Sequence, residues 1–466
     1  MTNTEDDRQA TPPGIPVRTW KIAAVTGTGA FLAMLDSTLA NLALESIRDS
    51  LSSTLPVVQW VATGYLLALA VSLPATGWLG NRFGYGRLWA ISLFAFIAAS
   101  ALCGLAPGPL ALIGGRVLQG LAAGIMVPAG QAVIGSVAGP TQLGRLFGLL
   151  GLVISLGPAV GPAVGGLLLE VVSWRWLFWI NVPIGLAALA VARGLVPGGS
   201  SDSSRPLDRC GLVLLGIGLP LLLFGAAEVG SAGATLLPAT AALVGAAMIF
   251  VFALTRVRVA APLINLGLLR RPTFAAATVT TGFTGANMYG GLLLLPLYLQ
   301  LARGRGTTET GLMLLVMGLG SAVALPVGGI WTDRSGAGLV TITGAGLLVA
   351  TTVPFLFNAT PSLMVLSLLL GVRGVGIALA QMPAMTAAYG AVSSEQMGDA
   401  ATLVNLVQRI GGAIGTIGLV IVLARAGGES GAYWWAFAML LIISSLTMVS
   451  AAMLKRSTRP STSSKI

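Results

Sequence analysis

Long apolar runs separated by short polar segments make up almost the whole of this 466-residue chain. Each run has about the 20 residues that an α-helix needs to cross the hydrocarbon of a bilayer. The first six predicted spans are 19–45, 56–79, 87–106, 108–131, 142–168 and 173–193. A polar linker, GGSSDSSRPLDR (198–209), follows, and then two more spans at 210–229 and 234–255. A second, basic linker (255–272) leads to the last six, at 272–301, 308–332, 338–357, 361–385, 396–423 and 432–454. The expected architecture is an all-α polytopic membrane protein of fourteen helices grouped six, two and six. As domains, the chain divides into a tail (1–18), a six-helix bundle (19–193), a linker with two extra helices (194–271), a second six-helix bundle (272–454) and a second tail (455–466). An even number of spans leaves both tails on the same side.

An internal repeat supports the grouping. The stretch LPATGWLGNRFGYGR begins at Leu73 and returns 252 positions later as LPVGGIWTDRSGAG, from Leu325. Without a gap, Leu73, Pro74, Gly77, Arg82, Gly84 and Gly86 align with Leu325, Pro326, Gly329, Arg334, Gly336 and Gly338, and Asn81 aligns with Asp333. In each copy an apolar helix runs into a tight, basic, glycine-rich turn and another apolar helix follows. Duplicated halves in a very hydrophobic chain are the mark of a secondary transporter.

Composition excludes a soluble protein, because 55% of residues are hydrophobic and 9% charged, where a soluble domain carries roughly 25% charged residues. The net charge of +11 would suit nucleic-acid binding if the cations were clustered. They are instead sorted by side. With the N-terminal tail inside, 18 of the 26 Lys and Arg lie on the inner face and five on the outer, and Arg116, Arg373 and Arg409 lie within spans. That bias is the positive-inside rule, so the charge reports topology and places both tails in the cytoplasm. The high usage of Arg over Lys, and of Ala and Gly, suggests a bacterial genome of high GC content, and the expected location is the bacterial cytoplasmic (inner) membrane. The first apolar run lacks a cleavage signal and is expected to stay as a helix. Cys103 and Cys210 fall in or beside different spans, so neither a disulfide framework nor a metal cluster is indicated.

The chain has no histidine. Proton chemistry near neutral pH therefore falls to a carboxylate in an environment that favours the neutral acid. Asp36, in AFLAMLDSTLANLAL, is the acid expected well inside a span. Acids inside membranes are costly and default to a functional reading, the alternative being a structural acid paired with an arginine. Arg116, in LIGGRVLQGLAAG, is the expected partner. Asp36 is nine residues from the outer end of its span and Arg116 eight from its own, so at 1.5 Å per residue both lie roughly 12–14 Å deep. Burial disfavours the charged acid and the guanidinium favours it, so a small change of distance would switch protonation. A permanent ion pair is the alternative.

The run GLVISLGPAVGPAVGGLL places Gly157, Gly161 and Gly165 on one helix face, with Pro158 and Pro162 following the first two. Such a face admits close approach by a neighbouring helix, and the prolines locally unlock its own hydrogen bonding. Candidate substrate-cavity residues are Tyr65, Gln119, Asn287, Tyr289, Tyr298, Arg373, Gln381, Asn405 and Arg409, polar or aromatic groups within spans. Packing against lipid or other helices is the alternative for each. Trp174, Trp176 and Trp179 read as an interfacial belt at the start of the sixth span. The chain contains no phosphate-binding G-x-x-x-x-G-K-[ST] loop and no HExxH, zinc spacing or nucleophile elbow. An enzyme is not expected, nor a cofactor; the proton gradient is the expected energy source.

These motifs resemble those of the major facilitator superfamily, and more narrowly the fourteen-span drug:proton antiporters of the EmrB/QacA type. LDSTLANLAL is similar to the first-span signature, and the resemblance implies that Asp36 binds protons. GWLGNRFGYGR is similar to the loop 2–3 motif, which implies a conformational switch at Gly77, Asn81, Arg82 and Gly84 and in its copy at Asp333 and Arg334. RVLQGLAAG is similar to the fourth-span motif, with Arg116 as the coupling arginine, and GPAVGPAVGG to the antiporter motif of span 5. Two departures stand out: Asn81 occupies a position where the family usually has an aspartate, and Glu45 one where proline is common. The reading that follows is a proton-coupled exporter of amphipathic small molecules, with no single compound named, acting as a monomer in the bilayer with no nucleic acid involved. A proton symporter importing a solute, or a non-transporting receptor or scaffold, would be the alternatives.

Overall fold

The computed structural model describes residues 15–139, 142–199, 201, 206–232, 236–256, 259, 261–357, 362–425 and 430–458. Fourteen long helices make up this set: α1 (Val17–Leu42), α2 (Leu55–Phe83), α3 (Tyr85–Gly104), α4 (Pro109–Val137), α5 (Leu143–Val171), α6 (Trp176–Leu195), α7 (Arg209–Ala232), α8 (Leu236–Arg256), α9 (Pro272–Leu297), α10 (Thr307–Ser335), α11 (Ala337–Thr352), α12 (Leu363–Gly390), α13 (Met397–Arg425) and α14 (Ser430–Ser457). Twelve of their stretches are long and apolar enough to cross a membrane. The other two helices, α5 and α9, have 29 and 26 residues and pack among the twelve, α5 on α1 and α9 on α13 and α14. Proline lies inside α4, α7, α9, α10 and α12 (Pro128, Pro220, Pro296, Pro326 and Pro383). Neighbouring helices can re-satisfy the backbone groups that each proline frees.

Helix ends differ from the sequence reading where local chemistry intervenes. The first span stops at Leu42, not at residue 45, and exposed Glu45 starts a separate short helix, Leu44–Ser50. The glycine-rich motif is not a loop through Asn81 and Arg82. Helix α2 continues to Phe83, and a single residue, Gly84 at φ +87°, turns the chain into α3. Its counterpart Gly336, at φ +83°, separates α10 from α11 in the same way. Only glycine adopts that conformation without a Cβ penalty, so each motif is a one-residue hinge between two long helices.

Packing repeats between the first six helices and the last six. In the first group α4 packs on α1, α2 and α3, α1 also on α5 and α6, and α3 on α6. In the last group α12 packs on α9, α10 and α11, α9 also on α13 and α14, and α11 on α14. Adding eight to each helix number converts one set of pairings into the other. The seams between the groups repeat too: α5 meets α10 and α12, and α13 meets α2 and α4. Helix α7 packs against both α2 and α13 at one seam, and α8 packs on α7. Asp208 ties this pair together by accepting from Gly211 N at 2.8 Å, Arg256 Nη1 at 3.1 Å and Leu263 N at 3.2 Å.

Candidate functional site

Asp36 lies on α1 with its side chain 1% exposed, and Arg116 of α4 donates Nη1 to its Oδ2 at the same degree of burial. Two amides complete the carboxylate's partners. Gln119, one turn beyond Arg116, donates Nε2 to Asp36 Oδ1 at 2.9 Å, and Asn181 of α6 donates Nδ2 to the same oxygen at 2.8 Å. Gln119 Oε1 accepts from Arg116 at 2.8 Å, and Arg116 Nε donates to Val61 O of α2 at 2.9 Å. The guanidinium lies 4.2 Å from the ring centroid of Tyr65, whose hydroxyl donates to Ala33 O at 3.1 Å. Asn181 also donates to Ser100 Oγ on α3 at 3.0 Å. Five helices therefore converge on one carboxylate. A buried charge is tolerated when paired and hydrogen-bonded, and this one is both. Neutralising Asp36 would weaken its attraction to Arg116 and leave two amide donors with a poorer acceptor, so one proton alters contacts on α4 and α6 together.

Behind Asp36, α1 rests on the glycine face of α5. A Cβ at Gly157 would lie 2.8 Å from Met34 Cβ and 2.9 Å from Leu35 N; at Gly161 it would lie 2.7 Å from Thr38 Cγ2, and at Gly165 2.8 Å from Leu39 Cδ2. At Gly157 the two backbones meet, and at Gly161 and Gly165 the bare backbone of α5 receives the side chains of Thr38, Leu39 and Leu42. The backbone of α5 is helical through Pro158 and Pro162, whose side chains lie outside the described residues.

The two six-helix groups approach each other near the end that carries Arg82 and Arg334, both exposed there. Asp333, at the end of α10, accepts from Gly144 N at 2.8 Å, Arg145 N at 3.2 Å and Arg145 Nε at 2.8 Å, all at the start of α5. An anion at a helix N-terminus is favoured by the free N–H groups and the macrodipole. At the opposite seam the chemistry is exchanged. Asn81 Oδ1 accepts from the hydroxyl of Tyr85 at 3.1 Å, and the acid sits across the seam as buried Asp399 in the first turn of α13. Asp399 packs against Gly77, where a Cβ would lie 2.6 Å from its Oδ1. One turn or two farther from this end, Asn405 of α13 donates to Gln131 Oε1 of α4 at 2.6 Å, and Tyr389 of α12 donates to the same oxygen at 3.3 Å. Asp399, Arg145 and Gln131 had no role in the sequence reading.

Against known proteins, the Major Facilitator Superfamily model matches residues 26–416 and 308–465. The chain belongs to the Major Facilitator Superfamily. It is thus a multi-pass membrane transporter of small molecules, not an enzyme. The transporter is 34% identical over 413 residues to the "Multidrug resistance protein B homolog" of Mycobacterium tuberculosis, covering 87% of this chain and 76% of that one. It is 31% identical over 430 residues to the "Tetracenomycin C resistance and export protein" of Streptomyces glaucescens, covering 92% and 80%. Among solved structures, a bacterial homologue of the iron transporter ferroportin shares the fold, with a TM-score of 0.65 at 13% identity over 94% of this chain and 99% of that one.

Within the transporter the predicted cavity residues separate. Tyr65 and Gln119 are buried in the Asp36 site. Asn287 and Arg373 are buried in the last bundle, where Arg373 Nη2 donates to Asn287 Oδ1. Tyr298 belongs to an aromatic cluster with Phe355, Tyr433 and Phe437, at centroid distances of 5.6, 5.7 and 5.0 Å. Tyr289 stands 37% exposed above Gly412, while Gln381, Asn405 and Arg409 are half-buried. Of the three tryptophans read as an interfacial belt, Trp174 is instead buried against Phe178, with only Trp176 well exposed. Among residues the sequence reading passed over, Asn181 is the most consequential. An asparagine inside an apolar run was the available signal.

Proposed function

We propose that the chain is a proton-coupled exporter of amphipathic small molecules, an antiporter that works by alternating access. Its setting is the bacterial cytoplasmic membrane, with both termini cytoplasmic and fourteen spans arranged as six, two and six. The repeated pairings of the two groups support this arrangement, with α7 and α8 as the added pair. In this reading 19–193 and 272–454 are the moving bundles and the proton gradient replaces any cofactor. The multidrug and antibiotic names carried by the relatives support an export direction.

One observation carries the proposal: Asp36 is buried and held by Arg116, Gln119 and Asn181 on the helix that packs against the glycine face of α5. Contacts gathered at the Arg82 and Arg334 end correspond to an outward-facing state with its cytoplasmic side shut. A proton arriving from outside neutralises Asp36 and loosens its hold on Arg116. Helix α1 then shifts on α5, and the Asp333–Arg145 and Gln131–Asn405 contacts part to open the inner side. Release of the proton inside re-forms the ion pair, and the substrate bound in exchange leaves outward.

The test is accumulation of ethidium, a neutral dye ester and an anionic dye in energised cells with and without the transporter. Lower accumulation of at least one, abolished by a protonophore, is expected. Equal accumulation of all three in both strains, or efflux that persists without the proton gradient, contradicts the proposal.

A further inference from the structure

The last bundle contains a second version of the Asp36 site, built from the matching helices. Where α1 supplies Asp36, α9 supplies Asn287, and where α4 supplies Arg116, α12 supplies Arg373. Asn181 of α6 is matched by Ser444 of α14, which accepts from Asn287 Nδ2 at 2.5 Å. Ser100 of α3 is matched by Thr352 of α11, whose hydroxyl accepts from Arg373 Nη1 at 2.8 Å. All four residues are buried. The pairing of helices is the same in both bundles. The chemistry is not: every partner of Arg373 is neutral, and its Nε has no hydrogen-bond partner among the described residues, whereas Arg116 Nε donates to Val61 O.

We propose that Asn287, Arg373, Ser444 and Thr352 form a silenced copy of the proton site, and that the amide of Asn287 holds the transporter to one membrane-buried proton site instead of two. The inference rests on the proton-coupling reading of Asp36. A carboxamide has nearly the shape of a carboxylate but takes up no proton in the physiological range. The last bundle therefore keeps its charge through the cycle, with Arg373 always cationic, while the first bundle alternates between a paired and a neutralised acid. Of these two matching sites, one takes up a proton during the cycle and the other does not.

The copy is also wired to accept an acid. With aspartate at 287, one oxygen keeps the bond to Arg373 Nη2. The other replaces Nδ2 and needs a donor, which Ser444 supplies by rotating its hydroxyl away from Leu440 O, to which it donates at 2.8 Å. A buried guanidinium that has only neutral acceptors would gain the counter-ion that Arg116 already has.

The experiment is an infrared difference titration of the full reconstituted chain, following the carbonyl stretch of protonated carboxyl groups as pH is lowered. Asp36→Asn is expected to lose the intensity of one titrating carboxyl. Asn287→Asp is expected to gain an equal intensity over wild type, and the double variant to match wild type in total. The proposal is overturned if Asn287→Asp superimposes on wild type while Asp36→Asn shows its loss. If Asp36→Asn itself titrates as wild type does, the proton-coupling reading fails and takes this inference with it. Should Asn287→Asp not fold, Asn287→Asp with Ser444→Asn rebuilds the donors of the Asp36 site more fully. A copy of the original must accept the original's residues, so failure of both to fold also overturns the proposal.

Discussion

Replacing Gly157 by alanine places one methyl group where α5 meets α1. The added Cβ would lie 2.8 Å from Met34 Cβ and 2.9 Å from Leu35 N, the backbone atom next to Asp36. Ordinary carbon contacts lie at about 3.5–4.0 Å, so the helices must separate by roughly 0.6–1.2 Å. Leu35 N is backbone and cannot swing aside, and overpacking of this kind costs about 1–3 kcal/mol. Gly166, on the same helix, is the internal control, because a Cβ there meets nothing within 4 Å. Both changes gain the same helix preference of about 0.5–1 kcal/mol, which cancels between them. The difference between the two variants is the overpacking alone, and about 1.4 kcal/mol of it is a tenfold change in an equilibrium. Purified Gly157→Ala is expected to unfold at a lower temperature than Gly166→Ala and to export the probe dye more slowly. Gly166→Ala should equal or exceed wild type in stability. Identical melting and transport for the two variants would refute the α1–α5 contact as the basis of this reasoning.

Three other substitutions probe separate parts of the account. Asp333→Asn removes the anion at the start of α5 at a cost of about 1 kcal/mol, so spin labels at the cytoplasmic ends should report a roughly fivefold shift toward the open-inward arrangement; an unchanged distance distribution would contradict this. Asn181→Ala deletes a hydrogen bond to a charged group worth about 1.5–3 kcal/mol. Thermal stability should drop while expression in the membrane persists, and an unaltered melting curve would mean that the amide does not hold Asp36. Arg409 lies on α13 one turn from the Asn405–Gln131 bond and is half-buried, with no ion pair among the described residues. A cation about 8 Å from it is repelled by about 2 kcal/mol at an effective dielectric constant near 20, so Arg409→Gln should raise apparent affinity for ethidium about thirtyfold and leave a neutral dye unchanged. Equal shifts for both dyes would contradict the expectation that Arg409 faces the substrate.

What the sequence made legible followed from strong constraints. Backbone hydrogen bonds must close within each span in lipid, so the long helices stood out as apolar runs, and the Leu73 and Leu325 copies exposed the duplication. A charge inside such a run is conspicuous, which is why Asp36 and Arg116 could be singled out and their depths compared. The neutral partners were harder to find. Asn181 lay beside three tryptophans whose pattern suggested an interface, and Ser100 is one hydroxyl among many that bond to their own helix. Arg373 and Asn287 were both marked but assigned to the cavity, because sequence does not say which face of a span turns toward its own bundle. Asp399 was hidden by its place at a helix end, where an acid usually meets water. The Gln131–Asn405 bond joins residues 274 apart in sequence, a pairing that only the docking of the two groups creates.

If a proton on Asp36 drives export, dye movement and proton movement must be coupled through that carboxyl. In everted membrane vesicles with an imposed pH gradient, wild type and Asp36→Asn would be challenged with the same three dyes while the internal pH is recorded. The account predicts that an exported dye dissipates the gradient in wild type and leaves it intact in Asp36→Asn at equal protein levels. Equal proton release in the two proteins would contradict it and make Asp36 a structural acid.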